Sequence, residues 1–248
     1  MKIIISPAKK MKIDTDSFSY EELPQFMKQT ETIFNKLLKF DYTDLKELWQ
    51  CSDKIAQDSY RLLHEVNLSK NLTPAIMAYV GIQYQHMAPD LFTEPALQYV
   101  SANLRILSGF YGALRPFDGI IPYRLEMQSR LPINHANNLY DYWNDLPYQG
   151  LNLNHEPIIN LASQEYSKII RKHMKSTDKM IDIVFGHLVD GKLKNRATFA
   201  KMARGEMVRF MAENNVTDSE ELKQFKIMEY EFQPQLSTDD KYVFLTTL

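Results

Sequence analysis

The sequence predicts an α/β fold, a single mixed-sheet domain spanning residues 1–248 with helical insertions. Three observations predict it. Short apolar runs, Ile3–Ser6, Leu104–Ser108 and Pro157–Leu161, alternate with longer stretches of helical spacing, the pattern of a sheet flanked by helices. Asp190-Gly191 sits between two strand-like segments, a hairpin signal over residues 181–199. No repeat, low-complexity tract or glycine-serine linker divides the chain.

Each element has a local reason. Ile3–Ser6 is a short apolar strand. Glu22–Phe40 carries Phe26, Ile33, Phe34, Leu37 and Leu38 at helical spacing. Thr43 can cap a helix that buries Leu45, Leu48, Trp49 and Ile55. Thr73-Pro74 starts another, with proline at its first position. Leu104–Ser108 is a strand entering a glycine turn, and Pro157–Leu161 a second buried strand. Ser163 can cap Gln164–Met174. Ile181–Val189 and Lys192–Phe199 form the hairpin around Asp190-Gly191. A helix over Ala200–Asn214 comes next, then strand-like Phe225–Phe232 and Tyr242–Thr246.

Composition sets further bounds. With 44% hydrophobic and 24% charged residues, the 248-residue chain has the make-up of an ordinary soluble globule. No apolar run approaches the ~20 residues of a membrane span. The start, Met-Lys-Ile-Ile-Ile-Ser-Pro, turns polar too soon for a signal peptide. The single cysteine, Cys51, excludes an internal disulfide and fits a reducing compartment, so a cytoplasmic protein is expected. Cys51 falls in an amphipathic stretch and reads as a structural thiol. The formal net charge of −2 lacks the basic excess typical of DNA-binding domains. Charge is nevertheless segregated. Residues 167–209 hold eleven Lys and Arg against four Asp and Glu, whereas the tail from Phe210 holds eight acids and three lysines.

The stretch Leu104–Leu131 concentrates the chemistry. Arg105, Arg115, Arg124 and Arg130 are planar, permanently charged groups suited to phosphate or carboxylate. Gly109 and Gly112 permit a tight turn or a close backbone approach, and Pro116 and Pro122 stiffen the chain beyond it. The competing reading is a turn whose arginines pair with nearby Asp118 and Glu126.

Within it, Leu107-Ser-Gly-Phe-Tyr-Gly-Ala-Leu-Arg-Pro-Phe-Asp118, continued by Pro122-Tyr-Arg-Leu-Glu-Met127, closely resembles the signature of the bacterial YaaA family. Four further matches keep the family's order. They are Ile5-Ser-Pro-Ala-Lys9, Asn138-Leu-Tyr-Asp-Tyr-Trp143, Asn160-Leu-Ala-Ser163 with Glu165-Tyr166, and Ala200-Lys-Met-Ala-Arg-Gly205 with Arg209-Phe210. They span residues 3 to about 232. The resemblance implies a cytoplasmic peroxide-stress protein that limits free intracellular iron and binds DNA. A helix-hairpin-helix motif has been associated with DNA binding in the family, and Gly109 and Gly112 resemble its glycine hairpin loosely, with one residue too many between them. One stretch departs from the pattern. Where the family tends to carry Phe, Gly, Asp, Val-Tyr and Gly-Leu, this chain has Tyr79-Val-Gly-Ile-Gln-Tyr-Gln-His-Met87. Gly81 and Tyr84 remain, the aspartate position is Ile82, and the Gly-Leu positions are His86-Met87.

The candidate phosphate-binding residues are Lys9, Arg105, Arg115, Arg124, Lys201 and Arg204. Ser6–Lys9 leaves the first strand where α/β sheets often place ligands. Lys201 and Arg204 share a helix face, with Arg209 to its side, and Ala203 and Gly205 make that helix slim enough for a close approach. Tyr140 and Trp143 could stack on a base, although such aromatics are more often core. Ser163 lacks the glycines of a nucleophile elbow and reads as a cap. Histidines 64, 86, 135, 155, 173 and 187 show no paired ligand spacing, so no metal site and no cofactor are expected, and iron control would be indirect.

Two classes of function remain open, beside a plain scaffold. In the first, a basic cleft holds DNA phosphates with little reading of sequence. In the second, the arginines clamp a nucleotide, an aromatic stacks its base, and Asp118, Glu126 or Glu165 serves as acid or base.

Overall fold

A computed structural model describes residues 1–247. Along the chain lie β1 (Lys2–Ile5), β2 (Lys10–Met11), α1 (Met27–Leu37), α2 (Tyr42–Trp49) and α3 (Asp53–Glu65). Next come β3 (Thr73–Pro74), α4 (Ala75–Ala78), β4 (Tyr79–Val80), α5 (Ile82–Met87) and α6 (Glu94–Asn103). The middle of the chain forms β5 (Leu104–Ser108), β6 (Gly112–Leu114), β7 (Gly119–Ile120), α7 (Leu139–Trp143) and α8 (Leu146–Gln149). The last part holds β8 (Ile158–Leu161), α9 (Gln164–Arg171), β9 (Met180–Val189), β10 (Lys192–Lys194), α10 (Ala197–Glu213), β11 (Glu231–Phe232) and β12 (Lys241–Leu245).

The main sheet has the order β11-β12-β9-β8-β1-β5-β6, with β10 attached to β9. Its interior pairs β12–β9, β9–β8, β8–β1 and β1–β5 are parallel, and β11, β6 and β10 add antiparallel edges. This is the mixed α/β sheet that the strand-helix alternation predicts. Ile3, Ile4 and Ile5 of β1 are fully buried, as interior parallel strands covered on both faces require. Each such side chain contributes about 1.5–3 kcal/mol relative to exposure.

The registers Ile5↔Leu161 and Ile5↔Ile106 bring the ends of β1, β8 and β5 to one edge of the sheet. From β1 the chain crosses to its neighbour β5; from β8 it crosses the other way, to β9. Adjacent strands whose connections diverge leave a crevice between them, and β1 and β8 are such a pair.

Local signals located most elements, with corrections. The hairpin forms around Asp190 and Gly191, at φ +50° and +71°, as a tight primed turn demands. Its second strand stops at Lys194, and helix begins at Ala197 instead of Ala200. Helix α1 starts only at Met27. The cap of α2 is Asp41, whose carboxylate accepts from Asp44 N at 2.9 Å, and not Thr43. Gln50 then adopts a left-handed conformation that ends α2, so Cys51 lies between helices and Ile55, on α3, is exposed. Thr73-Pro74 pairs with β7 and precedes its helix. Only the last two residues of Phe225–Phe232 form strand. Gly112 sits at φ +78° in the β5–β6 turn, whose Phe110 and Tyr111 amides donate to Ser108 Oγ.

Candidate functional site

Where β1 and β8 end, their first loop residues bond each other. Ser163 N donates to Ser6 Oγ at 2.8 Å, and Ser6 Oγ donates to Ser163 Oγ at 3.2 Å. Ser163 heads α9, yet its hydroxyl makes no capping bond to the helix, contrary to the sequence expectation. Both serines open onto a cavity of about 580 Å³ at the diverging strand ends.

Four further segments wall it: Lys9–Lys10, Val80–Tyr84, Tyr123–Glu126, and the α10 residues Lys201 and Arg204. Its α5 wall is held rigidly. Tyr84 OH donates to Ser6 O at 3.0 Å, and His86 Nδ1 meets Glu206 Oε1 of α10 at 2.9 Å. Gly205 lets the two helices touch, because a methyl group there would stand 2.1 Å from the Gln83 carbonyl oxygen. The close approach predicted for this slim stretch is thus made by α5. Below it, Tyr123 OH bonds both Tyr79 OH and Ser108 Oγ at 2.7 Å. Burial pushes the Tyr123 phenol up to about 12, so this network stays protonated.

The cavity is rich in unused donors. Arg124 Nε, Arg204 Nε and Gln83 Nε2 are all buried without a hydrogen-bond partner. Among the described residues only three other buried side-chain polar atoms are orphaned, on Trp49, Glu156 and His173, so half the total belong to residues that line this one space. Buried polar groups are normally satisfied, so a cluster of orphans calls for a physical reason. Arg204 has no acidic partner among the described residues, and burial lowers its pKa. Arg124, 12% exposed, reaches only 3.8 Å from Glu126 Oε1, an oxygen that Lys9 approaches at 3.3 Å.

The other carboxylate, Glu165, stands in the first turn of α9. Its Oε1 accepts from Gln128 N at 3.2 Å. Burial first, and then the charge of Glu126, raise its pKa above the ordinary glutamate value. The site therefore has cationic donors, a carboxyl group whose pKa burial raises, and an apolar flank that includes Pro7, Val80, Ile82 and Leu125.

Of the sequence-predicted residues, Lys9, Arg124, Lys201 and Arg204 line the cavity together with Glu126 and Glu165. Arg105 and Arg115 do not. Arg105 is buried, donating to Leu104 O at 2.7 Å and to Ser101 and Gly150 carbonyls at 3.4 Å. Arg115 pairs with Glu22 and with buried Asp118, whose carboxylate accepts from its N and Nε at 2.8 Å. Burial raises Asp118 to about 6 even so, but the pair lies outside the cavity lining, so Asp118 is not an acid-base group within it. The expected stacking residues are likewise placed elsewhere. Trp143 is wholly buried, with Nε1 donating to Gly109 O at 2.9 Å. Tyr140 OH donates to Glu165 O, and the Lys168 ammonium covers its ring. Arg209 pairs with Glu213 along α10.

Gln83, Tyr84, Tyr123 and Tyr166 also line the cavity and were not singled out from sequence as site residues. The departure segment 79–87 was the available signal. Its Ile82 is part of the cavity wall, which is therefore apolar at the position where the family pattern has an aspartate.

Fold and cavity define an α/β protein with a donor-lined cavity at the divergence of two parallel strands. Comparison with known proteins gives the family. Residues 1–236 match the family model described as peroxide stress protein YaaA, and the chain belongs to that family. A UPF0246 protein of Lactiplantibacillus plantarum is 54% identical over 245 residues, covering 99% of both chains. One from Pediococcus pentosaceus is also 54% identical, covering 99% of this chain and 98% of the relative. One from Limosilactobacillus reuteri is 50% identical, covering 98% of each. Among the described residues no helix is long and apolar enough to cross a membrane, and no three His, Cys, Asp or Glu side chains gather as metal ligands.

Proposed function

We propose that this peroxide-stress protein acts by binding a phosphate-bearing ligand of nucleotide size in the cavity between β1 and β8. One observation carries the reading: Arg204, a half-buried side chain with a buried Nε and no acid partner among the described residues, lines the same space as the half-used Arg124. A cation drawn partly out of water without a partner is costly, and a dianionic ligand offsets that cost. The serine pair and the start of α9 add hydroxyl and amide groups suited to phosphate oxygens. The volume, about 580 Å³, fits a small ligand, and is too small for a duplex.

Calorimetric titration with orthophosphate at low salt tests this. Binding by the native protein, weakened at least tenfold in Arg204→Met, is the expected result. Equal affinity in both proteins, or none in either, would sink the site.

A second reading comes from the mouth of the cavity, where Lys9, Lys10 and Lys201 are exposed. There they meet DNA phosphates, and one everted or terminal nucleotide enters the cavity. That combines the family's implied DNA binding with the pocket's dimensions. Limitation of free iron is then a consequence of ligand or DNA binding, with no iron held by the chain itself. Anisotropy titration of labelled DNA across a salt series tests this reading. Lys9→Ala and Lys201→Ala should each lower the salt slope by about one; unaltered slopes would remove DNA from the mouth.

A further inference from the structure

We propose that Glu126 is a built-in competitor for the phosphate: its carboxylate is paired with Lys9 and Arg124, where the ligand's anionic group binds, and only a dianion displaces it. The proposal rests on the reading that the cavity holds a phosphate-bearing ligand. It names the kind of phosphate, a terminal monoester in place of the internal diester of a nucleic-acid chain.

Glu126 lines the cavity on the same segment as Arg124. A single oxygen, Oε1, lies 3.3 Å from Lys9 Nζ and 3.8 Å from a terminal nitrogen of Arg124. The glutamate side chain is 14% exposed, whereas the lysine side chain is 67% exposed. Two of the cavity's cations thus already share one internal anion. Its charge is also felt by the second carboxylate of the lining, because Glu126, after burial, contributes to the raised pKa of Glu165.

The pairing is loose, as a displaceable group requires. Charge-assisted bonds between nitrogen and carboxylate close to about 2.7–2.9 Å. Elsewhere in this chain Lys12–Asp14 and Arg171–Asp182 pair at 2.7 Å, and Lys46–Asp53 at 2.6 Å. Glu126 approaches neither of its cations so closely, and Arg124 keeps an unpartnered Nε. A change of rotamer takes the carboxylate away without moving the backbone.

The charge requirement follows from the exchange. A monoanion replaces one negative charge by another beside the same two cations, and is repelled by the carboxylate it displaces, so it gains little. A dianion doubles the attraction to both cations. Phosphate monoesters, with a second pKa of about 6, are dianions at pH 8, whereas a diester carries a single charge.

The test is calorimetry at pH 8 with methyl phosphate as the monoester and dimethyl phosphate as the diester. The native protein should bind the first and show no measurable binding of the second. Glu126→Gln, close in shape but neutral, should bind methyl phosphate about tenfold more tightly and acquire binding of dimethyl phosphate. Glu126→Ala, which removes the competitor outright, should do the same, and circular dichroism checks that both variants fold. Glu165→Gln is the comparison, since among the described residues Glu165 forms no ion pair. It should tighten methyl phosphate less than Glu126→Gln does and leave dimethyl phosphate unbound. Weaker binding of methyl phosphate in folded Glu126→Gln would make Glu126 an aligner of the cations and overturn the proposal while the phosphate site stands. Equal gains in Glu126→Gln and Glu165→Gln, or native protein that binds both esters alike, would overturn it too. No binding of methyl phosphate to the native protein or to Glu126→Gln overturns the phosphate site itself, and this proposal falls with it.

Discussion

Gly205 on α10 and Gln83 on α5 stand so close that a single methyl group on the glycine would lie 2.1 Å from the Gln83 carbonyl oxygen. This contact sets the distance between two walls of the cavity, one carrying Gln83 and the other Arg204. It also ties helix packing to ligand binding, and makes the first prediction.

Gly205→Ala should destabilise the protein although alanine is the better helix former. The propensity gain is about 1 kcal/mol, whereas forcing backbone against backbone costs typically 1–3 kcal/mol or more. A melting temperature lower by a few degrees, with weaker phosphate binding, is expected in thermal denaturation and titration. A higher melting temperature would show that α5 yields easily.

Arg204 and Arg115 should respond oppositely to removal. Arg204→Met deletes a half-buried charge that no acid among the described residues compensates, so the ligand-free protein should melt a few degrees higher while phosphate affinity collapses. Arg115→Ala strands buried Asp118 and should cost about 3 kcal/mol, with phosphate affinity unchanged. If Arg115→Ala weakens phosphate binding in protein that is still folded, the division between structural and cavity arginines is wrong.

Glu165 gives the cavity a pH dependence whose sign comes from its raised pKa. Below its titration it is neutral; above it, a negative charge enters the space that holds the anion. Sulfate, dianionic across the range, should therefore bind more weakly at pH 8 than at pH 5. Glu165→Gln should flatten this dependence and keep the tighter binding at pH 8. The folded state also holds this proton more firmly than the unfolded chain, so the contribution to stability declines as pH rises between the ordinary glutamate value and the raised one. Sulfate titrations at the two pH values decide the matter, and a pH profile identical in Glu165→Gln would assign the effect to another group.

Trp143 should behave as core. Trp143→Phe loses the Nε1 bond to Gly109 O and leaves that carbonyl unsatisfied, a cost of about 1–3 kcal/mol, with no change in ligand affinity. Chemical denaturation measures the first quantity and phosphate titration the second. A loss of affinity without loss of stability would restore its stacking role.

How much of the fold is legible in the sequence depends on the distance over which each answer is decided. Strands β1, β5 and β8 lie within a residue of their predicted limits, because a run such as Ile3-Ile4-Ile5 is apolar on both faces and belongs in the middle of a parallel sheet wherever the rest of the chain goes. Asp190-Gly191 likewise carries its own turn geometry. Helix ends were less legible, since Asp41 and Thr43 are both competent caps and only the chain's entry angle chooses between them.

The site divides in the same way. The kinds of residue it uses, arginines in a stiff loop, a lysine after the first strand and a cationic face on a slim helix, are written in the sequence. Which arginines reach the cavity is not, because Arg115 is claimed by Glu22, 93 residues earlier, and Arg105 by carbonyls of its own surroundings. Gln83 is an inconspicuous amide in the sequence. It becomes part of the cavity lining only because α5 is pressed against Gly205 of α10 beside the ends of the strands. Collinear motifs carried the family, and composition and local pattern the existence of the sheet and the supply of charge. Tertiary structure alone decided which charges are neutralised within the fold and which are left for a ligand, because that depends on partners brought together by crossovers between distant segments.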